Sequence, residues 1–341
     1  MVNILGEEGI ILKTASTGDD VGVQMSGSGV RRASTLNNRI GSKGADRAKR
    51  TRELVKVNPA ALKLTMAGTM PVQAYGHQAQ GASMSQMTGM RKNIKNTTPF
   101  AGSFACSTTV VGWHFGPTGD PFIKCPLEQI DTWIQTWNDA TATDRHDARV
   151  TWQRCLTKYL TTGKYLNSMG PVAATINSVL RAGWKPARPD LWQVEEGTNI
   201  EVTKLPLAKF QIIARAQHDL QVKVWAKAAA HEHGGGLETG IPSFQAARDA
   251  VRYLKKHGYY AEARALEYVL VGFFRDPDEN TPPNLIHCPR CANKLRATRY
   301  HTTYECDDNR KIEAEIFIKS NKILKEAKVQ HKNSPCLWLR G

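Results

Sequence analysis

Apolar residues recur at helical spacing over most of this chain. In PLEQIDTWIQTW, Ile130, Trp133, Ile134 and Trp137 fall three and four residues apart, so one helix face carries them. ARVTWQRCLTKYL repeats the pattern with Val150, Leu156 and Leu160. GPVAATINSVLRAGW opens on Gly-Pro and carries Val172, Ile176, Val179 and Leu180. The period then changes. WQVEEGTNIEV alternates about a Gly-Thr-Asn turn, which predicts a β-hairpin near 192–202. A long helix is expected from about Leu207 to His231, with Phe210, Ile213, Val222 and Trp225 inward, until the glycines at 234–236 end it. Two further helices, broken at Gly258, follow in PSFQAARDAVRYLKKHGYYAEARALEYVLVGF, and Asp276 to Pro283 reads as a linker.

The N-terminal third is more polar. DRAKRTRELVKV predicts a helix over Asp46–Val57 with a narrow apolar stripe of Ala48, Leu54 and Val55, stopped by Asn58-Pro59. Pro71–Gln80 and Ser83–Ile94 predict two more helices, the second with Met84, Met87 and Met90 as core. A short strand is expected around Val21–Met25, and a strand followed by a basic helix within 311–330. Together these elements predict a mainly α chain with a small β-hairpin.

Composition sharpens this picture in one respect. With 341 residues, 41% of them hydrophobic, the chain can bury cores in two or three domains. Its net charge of +15 points to a polyanionic partner, for which RNA or DNA is the first candidate and a membrane surface the other. The densest cations are Arg31, Arg32, Arg47, Lys49, Arg50 and Arg52, with Arg39 and Lys43 between them. They read either as a helix laid along a phosphate backbone or as a solvated face. No stretch approaches 18 apolar residues, so no membrane span is expected. MVNILGEEGI lacks the layout of a secretion signal, and Cys106, Cys125, Cys155 and Cys336 are scattered. Both features suggest a nuclear or cytoplasmic protein that is not secreted.

The chemistry concentrates near the C-terminus. Cys288, Cys291, His301 and Cys306 read C-x2-C-x9-H-x4-C within HCPRCANKLRATRYHTTYEC. Three thiolates and an imidazole complete a closed tetrahedral shell, which suits structural zinc and leaves no open catalytic position. A redox CxxC would need a strand and a helix around the pair, whereas Pro289-Arg290 sits in a loop sequence. Arg290, Lys294, Arg296, Arg299, Tyr300 and Tyr304 surround the ligands. Of these, Arg296 and Tyr304 are the candidate phosphate and base-stacking contacts.

Catalytic patterns are missing. There is no phosphate-cradling lysine loop and no G-x-S-x-G elbow. Asp19 and Asp20 form a Gly-Asp-Asp triplet, but a two-metal polymerase site needs a hairpin between apolar strands and a further upstream carboxylate. His77 reads as a structural histidine, and His231-Glu-His233 lacks the i,i+4 spacing of a helical zinc protease.

The order of these pieces resembles a known family. GVQMSGSGVRRASTLNNR, the RAKRTREL helix and AGTMPVQAYGHQAQGASMSQMTGMRKN resemble the region after the polymerase palm in non-LTR retrotransposon reverse transcriptases of the type abundant in protist genomes. GPVAATINSVLRAGWKPARPDLW is similar to their connecting region, HCPRCANKLRATRYHTTYEC to their Cys-Cys-His-Cys knuckle, and CLWLRG to the start of the ribonuclease H domain. The resemblance spans about residues 20–341 and is thinner over 100–125 and 195–260. It implies a basic lead-in at 1–42, a thumb-like helical region at 43–100, a helical connecting domain at 101–280, a zinc knuckle at 281–311 and a linker at 312–341. It also implies that the polymerase and ribonuclease carboxylates lie outside this chain, which would hold nucleic acid without its own polymerase site. The alternative is a stand-alone zinc-containing host protein that binds RNA or DNA.

Overall fold

The computed structural model describes residues 17–20, 23–26, 34–103, 105–162, 170–194, 197–202, 206–231, 234–273, 281–291, 293–298, 301–311, 326, 329–330 and 333, with the backbone alone for 17–26, 162, 206, 303, 304 and 310. A hairpin of β1 (Thr17–Asp20) and β2 (Val23–Ser26) comes first. Helix α1 (Ser34–Asn38) and a π-helical turn lead into α2 (Ala45–Val57). Next come α3 (Met70–Ala74), α4 (His77–Gln80), α5 (Met84–Asn96), α6 (Ser107–Phe115), α7 (Pro121–Asp139), α8 (Ala142–Thr162) and α9 (Gly170–Ala182). An antiparallel sheet follows, ordered β3 (Lys185–Arg188), β4 (Leu191–Gln193) and β5 (Asn199–Glu201). The described chain then adds α10 (Pro206–Ala229), α11 (Gln245–Lys256), α12 (Tyr260–Leu270) and the short α13 (Pro283–Ile286). The described chain is therefore mainly helical, as the periodicity predicts, and the hairpin expected near 192–202 is present as β4 and β5, to which β3 adds a third strand.

Local chemistry explains where several helices begin. Ser83 and Gln86 form a reciprocal capping box at α5: the Gln86 N–H donates to Ser83 Oγ at 3.2 Å, and the Ser83 N–H donates to Gln86 Oε1 at 2.9 Å. Thr141 and Asp144 cap α8 in the same way. The Asp120 carboxylate accepts from the Phe122 N–H at 2.9 Å, so α7 starts at Pro121 and carries Pro126 inside it. The apolar spacing in PLEQIDTWIQTW places the start only at Pro126, so the helix is longer at its start than the pattern predicts. Pro71–Gln80 is not one helix. Tyr75 and Gly76 break it, the latter at φ +78°, a left-handed conformation that glycine adopts without steric cost.

The chain divides into two compact units, Met1–Ile94 with Lys124–Gln217, and Lys95–Ile123 with His218–Gly341. The first unit buries Met70, Met87, Met90, Ile94, Ile130 and Ile134 completely. Met84, read as part of that stripe, is 44% exposed because it opens the first turn of α5. The rest of this core is built of tryptophan. Trp133 and Trp152 lie 5.3 Å apart, and Trp184 and Trp192 6.1 Å apart. Two proline carbonyls anchor the indoles: Trp152 Nε1 donates to Pro186 O at 3.0 Å and Trp133 Nε1 to Pro189 O at 2.9 Å. Pro186 sits on β3, the outer strand of the sheet, where a missing N–H is tolerated. The Gly-Trp-Lys-Pro-Ala-Arg-Pro-Asp-Leu-Trp string thus has a structural task in closing this core.

The second unit packs Phe100, Val110 and Trp113 against Val251, Ala263, Leu270 and Val271. Cys106, Trp225, Ala228 and Leu237 form a further cluster.

Two helices turn different faces inward from those expected. On α10, Ile212, Ala216, Leu220, Trp225 and Ala228 are buried, while Phe210 is 72% exposed and Val222 is exposed. Trp225 is inward as expected and Ile213 is half-buried, but Phe210 and Val222 are displaced from the buried positions, which include the small Ala216 and Ala228. On α8 the buried residue is Trp152, and Val150 and Leu160 face solvent. The strand and basic helix expected within 311–330 lie almost entirely outside the described residues.

Candidate metal centre and cationic surfaces

Backbone pairing builds the C-terminal cluster. After α13, the Ala297 N–H donates to Ile286 O at 2.8 Å and the Cys288 N–H to Leu295 O at 2.7 Å, closing a small loop around Pro289–Lys294. Lys294 adopts φ +45°, the one described non-glycine residue on the left-handed side, as a tight reversal requires. A π-helical turn over His301–Glu305 returns the chain, and the Cys306 N–H donates to His301 O at 2.8 Å. Arg290 ties the two halves together by donating to Thr302 O at 2.7 Å. Asn309 donates to the same carbonyl at 3.1 Å.

These turns bring all four predicted ligands together. Their ligand atoms lie within 4.8 Å of one another, and the group could hold a metal ion. Cys288 Sγ is 3.8 Å from Cys306 Sγ, and Cys291 Sγ is 3.5 Å from His301 Nε2. Cys288, His301 and Cys306 are buried, and Cys291 is half-buried. Asn309 is the only other buried side chain among the described residues of 281–311, while Leu285 and Leu295 are exposed. Among the described residues, the interior of this segment is therefore the ligand set with Asn309.

The electrostatics suit a cation. Burial by itself raises the Cys288 thiol. The backbone N–H groups of Arg290 and Cys291, with His301 and Cys306, outweigh that and lower it to about 6. Burial, with the neighbouring Cys288 and Cys291 sulfurs, pushes Cys306 up instead. Thiols crowded this closely cannot all ionise cheaply without a positive centre between them. His301 Nδ1 is buried with no hydrogen-bond partner among the described residues. The Thr298 hydroxyl, which accepts from the His301 N–H at 3.0 Å, orients that residue through its backbone.

The cationic residues separate in space. On α2 the inward positions are Ala48, Thr51 and the half-buried Val55. Leu54, expected in the stripe, is 51% exposed. At about 100° per residue, Arg47 and Arg50 flank one side of that stripe, and Lys49, Arg52 and Lys56 flank the other. All five are exposed, and the outermost face between the rows carries Asp46 and Glu53. Lys56 pairs with Glu53 at 2.7 Å. The sequence alone sets Arg47, Lys49, Arg50, Arg52 and Lys56 around one apolar stripe as a single cluster; the buried face divides them into two rows. Arg31 and Arg32 lie outside the described residues. Arg296 is exposed beside the His287–Arg296 bridge, and Tyr304 is placed by its backbone only.

Asp19 and Asp20 stand at the end of β1, paired with Gln24 and Val23. Among the described residues, the Cys-Cys-His-Cys group is the one cluster of three or more candidate metal ligands. His77 is buried; its Nδ1 lies 2.6 Å from the Ala74 carbonyl, and burial lowers its proton affinity. No described helix is long and apolar enough to cross a membrane.

No family model, curated protein or solved structure matches this chain.

Proposed function

We propose that the chain binds nucleic acid, with a structural zinc ion organising its C-terminal knuckle and cationic helix α2 holding phosphates. The observation that carries the zinc reading is the four-residue cluster standing where a hydrophobic core would otherwise be. Two of its six edges match a tetrahedral zinc shell, with all four ligand atoms within 4.8 Å of one another. Zn–S bonds of about 2.3 Å and a Zn–N bond of about 2.0–2.1 Å give edges of about 3.8 Å between sulfurs and about 3.5 Å from sulfur to nitrogen. The observed separations are 3.8 and 3.5 Å.

The nucleic-acid reading is supported by the net charge of +15 and by the exposed cation rows of α2. The finer reading, as the segment between the palm and the ribonuclease H domain of a non-LTR retrotransposon reverse transcriptase, rests on the sequence resemblance. A stand-alone host protein is the second reading. Genomic sequence beside the gene separates the two, since palm motifs upstream favour the retroelement.

A salt titration of fluorescent RNA binding tests the nucleic-acid reading. If one row of α2 faces the backbone, Lys49→Gln with Arg52→Gln flattens the slope of log K against log salt by about 1.4–1.8, and Arg47→Gln with Arg50→Gln by far less, or the reverse. Unchanged slopes for both pairs would show that α2 is a solvated face.

A further inference from the structure

A third surface, in the α11–α12 hairpin, has the chemistry of a single-strand platform. Tyr253, Tyr259 and Tyr260 are 60%, 53% and 68% exposed. They account for three of the six exposed large aromatic side chains among the described residues, within eight positions. Every described tryptophan is buried, so the fold does not leave aromatic rings in solvent by default. Cations interleave with the rings: Arg252, Lys255, Lys256 and Arg264 are all exposed. Arg252 pairs with Asp249 at 2.7 Å and Lys255 with Glu267 at 2.9 Å, while Lys256 makes no ion pair among the described residues. His257 lies against Tyr253 with ring centroids 4.1 Å apart, extending that aromatic surface.

Backbone hydrogen bonds fix the turn of this hairpin. Gly258, at φ +83°, ends α11: its N–H donates to Lys255 O at 3.3 Å and the Tyr259 N–H to Leu254 O at 2.9 Å. This pair of bonds is the Schellman arrangement, and it fixes where Tyr259 and Tyr260 leave the turn. Below the tip, Val251 and Ala263 belong to the second unit's core. Little backbone freedom at the turn then remains to be lost on binding.

We propose that this hairpin holds single-stranded nucleic acid, its bases stacking on Tyr253, Tyr259 and Tyr260 and its phosphates meeting Lys256 and the neighbouring cations. The proposal rests on the nucleic-acid reading above and assigns that function a second contact surface. Rings interleaved with positive charge match a strand that alternates π-faces with negative charge, and stacking accepts any base.

The test uses the full chain with a fluorescein-labelled oligothymidylate and with a duplex of equal length. Tyr253→Ala, Tyr259→Ala and Tyr260→Ala combined should weaken single-strand affinity at least about tenfold, leave duplex affinity within about twofold and keep the salt slope. The three Tyr→Phe changes combined should stay within about twofold of wild type, since the ring rather than the hydroxyl stacks. Circular dichroism checks the fold. If the triple alanine variant is unstable, Tyr253→Ala and Tyr260→Ala singly carry the test. Unchanged single-strand affinity, as expected if the hairpin meets a protein instead, overturns the proposal, as does an equal loss on duplex. A wild-type chain that binds neither probe removes the nucleic-acid reading itself along with this surface.

Discussion

The tryptophan core offers a substitution pair in which the polar contribution can be isolated. Trp152 and Trp192 are both fully buried, at 1% and 0% exposure. Changing either to phenylalanine removes the same pyrrole portion of the indole, so the loss of burial and the cavity left behind are comparable. The hydrogen-bond consequences are opposite. Trp152 Nε1 donates to the carbonyl of buried Pro186 at 3.0 Å. Trp152→Phe leaves that acceptor unpaired, at about 1–3 kcal/mol. Trp192 Nε1 is buried with no hydrogen-bond partner among the described residues, so Trp192→Phe deletes an unsatisfied donor and recovers part of its desolvation cost. Trp152→Phe should therefore destabilise by about 2 kcal/mol more than Trp192→Phe, or on the order of 4–8 °C in midpoint for a body of 150–250 residues. Urea and thermal unfolding followed by far-ultraviolet circular dichroism measure the difference. Equal losses, or a larger loss at Trp192, would refute the assignment of Pro186 as the partner that decides Trp152.

Other expectations follow from the same structure. Burial first, then Lys255 and Arg248, lower the His114 imidazole to about 4, and its Nε2 is buried without a hydrogen-bond partner among the described residues. Because the folded value lies below the ordinary one of about 6.5, the unfolded chain takes up the proton first. Stability is complete above about pH 6.5 and falls by roughly 3 kcal/mol on approaching pH 4, and His114→Phe should remove most of that slope; His77, lowered by burial with the same sign, remains. A pH series of urea midpoints that is parallel for wild type and variant contradicts this. At Gly81 (φ +70°) a Cβ would stand 3.1 Å from Ala174 Cβ, so Gly81→Ala should cost more than about 1 kcal/mol. Gly41→Ala, with nothing within 4 Å, should cost little or stabilise slightly, and thermal melts of the two variants compare them directly.

How far the sequence could be read depended on what each side chain has to do. Cys288, Cys291, His301 and Cys306 were legible because metal chemistry fixes both residue type and spacing, and backbone turns then bring them together. Trp133 and Ile134 were legible because large apolar residues at helical spacing dominate a face. The stripe of α10 was legible only at Trp225, because Ala216 and Ala228 take inward positions while bulky Phe210 stays outside. Strand β3 was missed because Lys185–Arg188 contains a proline and no alternation; the indole of Trp152 and the pairing with β4 hold it in place. The two cation rows of α2 follow from which face Ala48 and Thr51 bury, a tertiary fact that charge counting does not contain.

The most direct test of the account is the metal content and ligand shell of the purified chain. Elemental analysis should give one zinc per chain. X-ray absorption should show three sulfurs at about 2.3 Å and one nitrogen at about 2.0–2.1 Å, and Cys306→Ser should lose the ion. A folded, metal-free chain whose Cys288, Cys291 and Cys306 thiols all titrate freely would contradict the account.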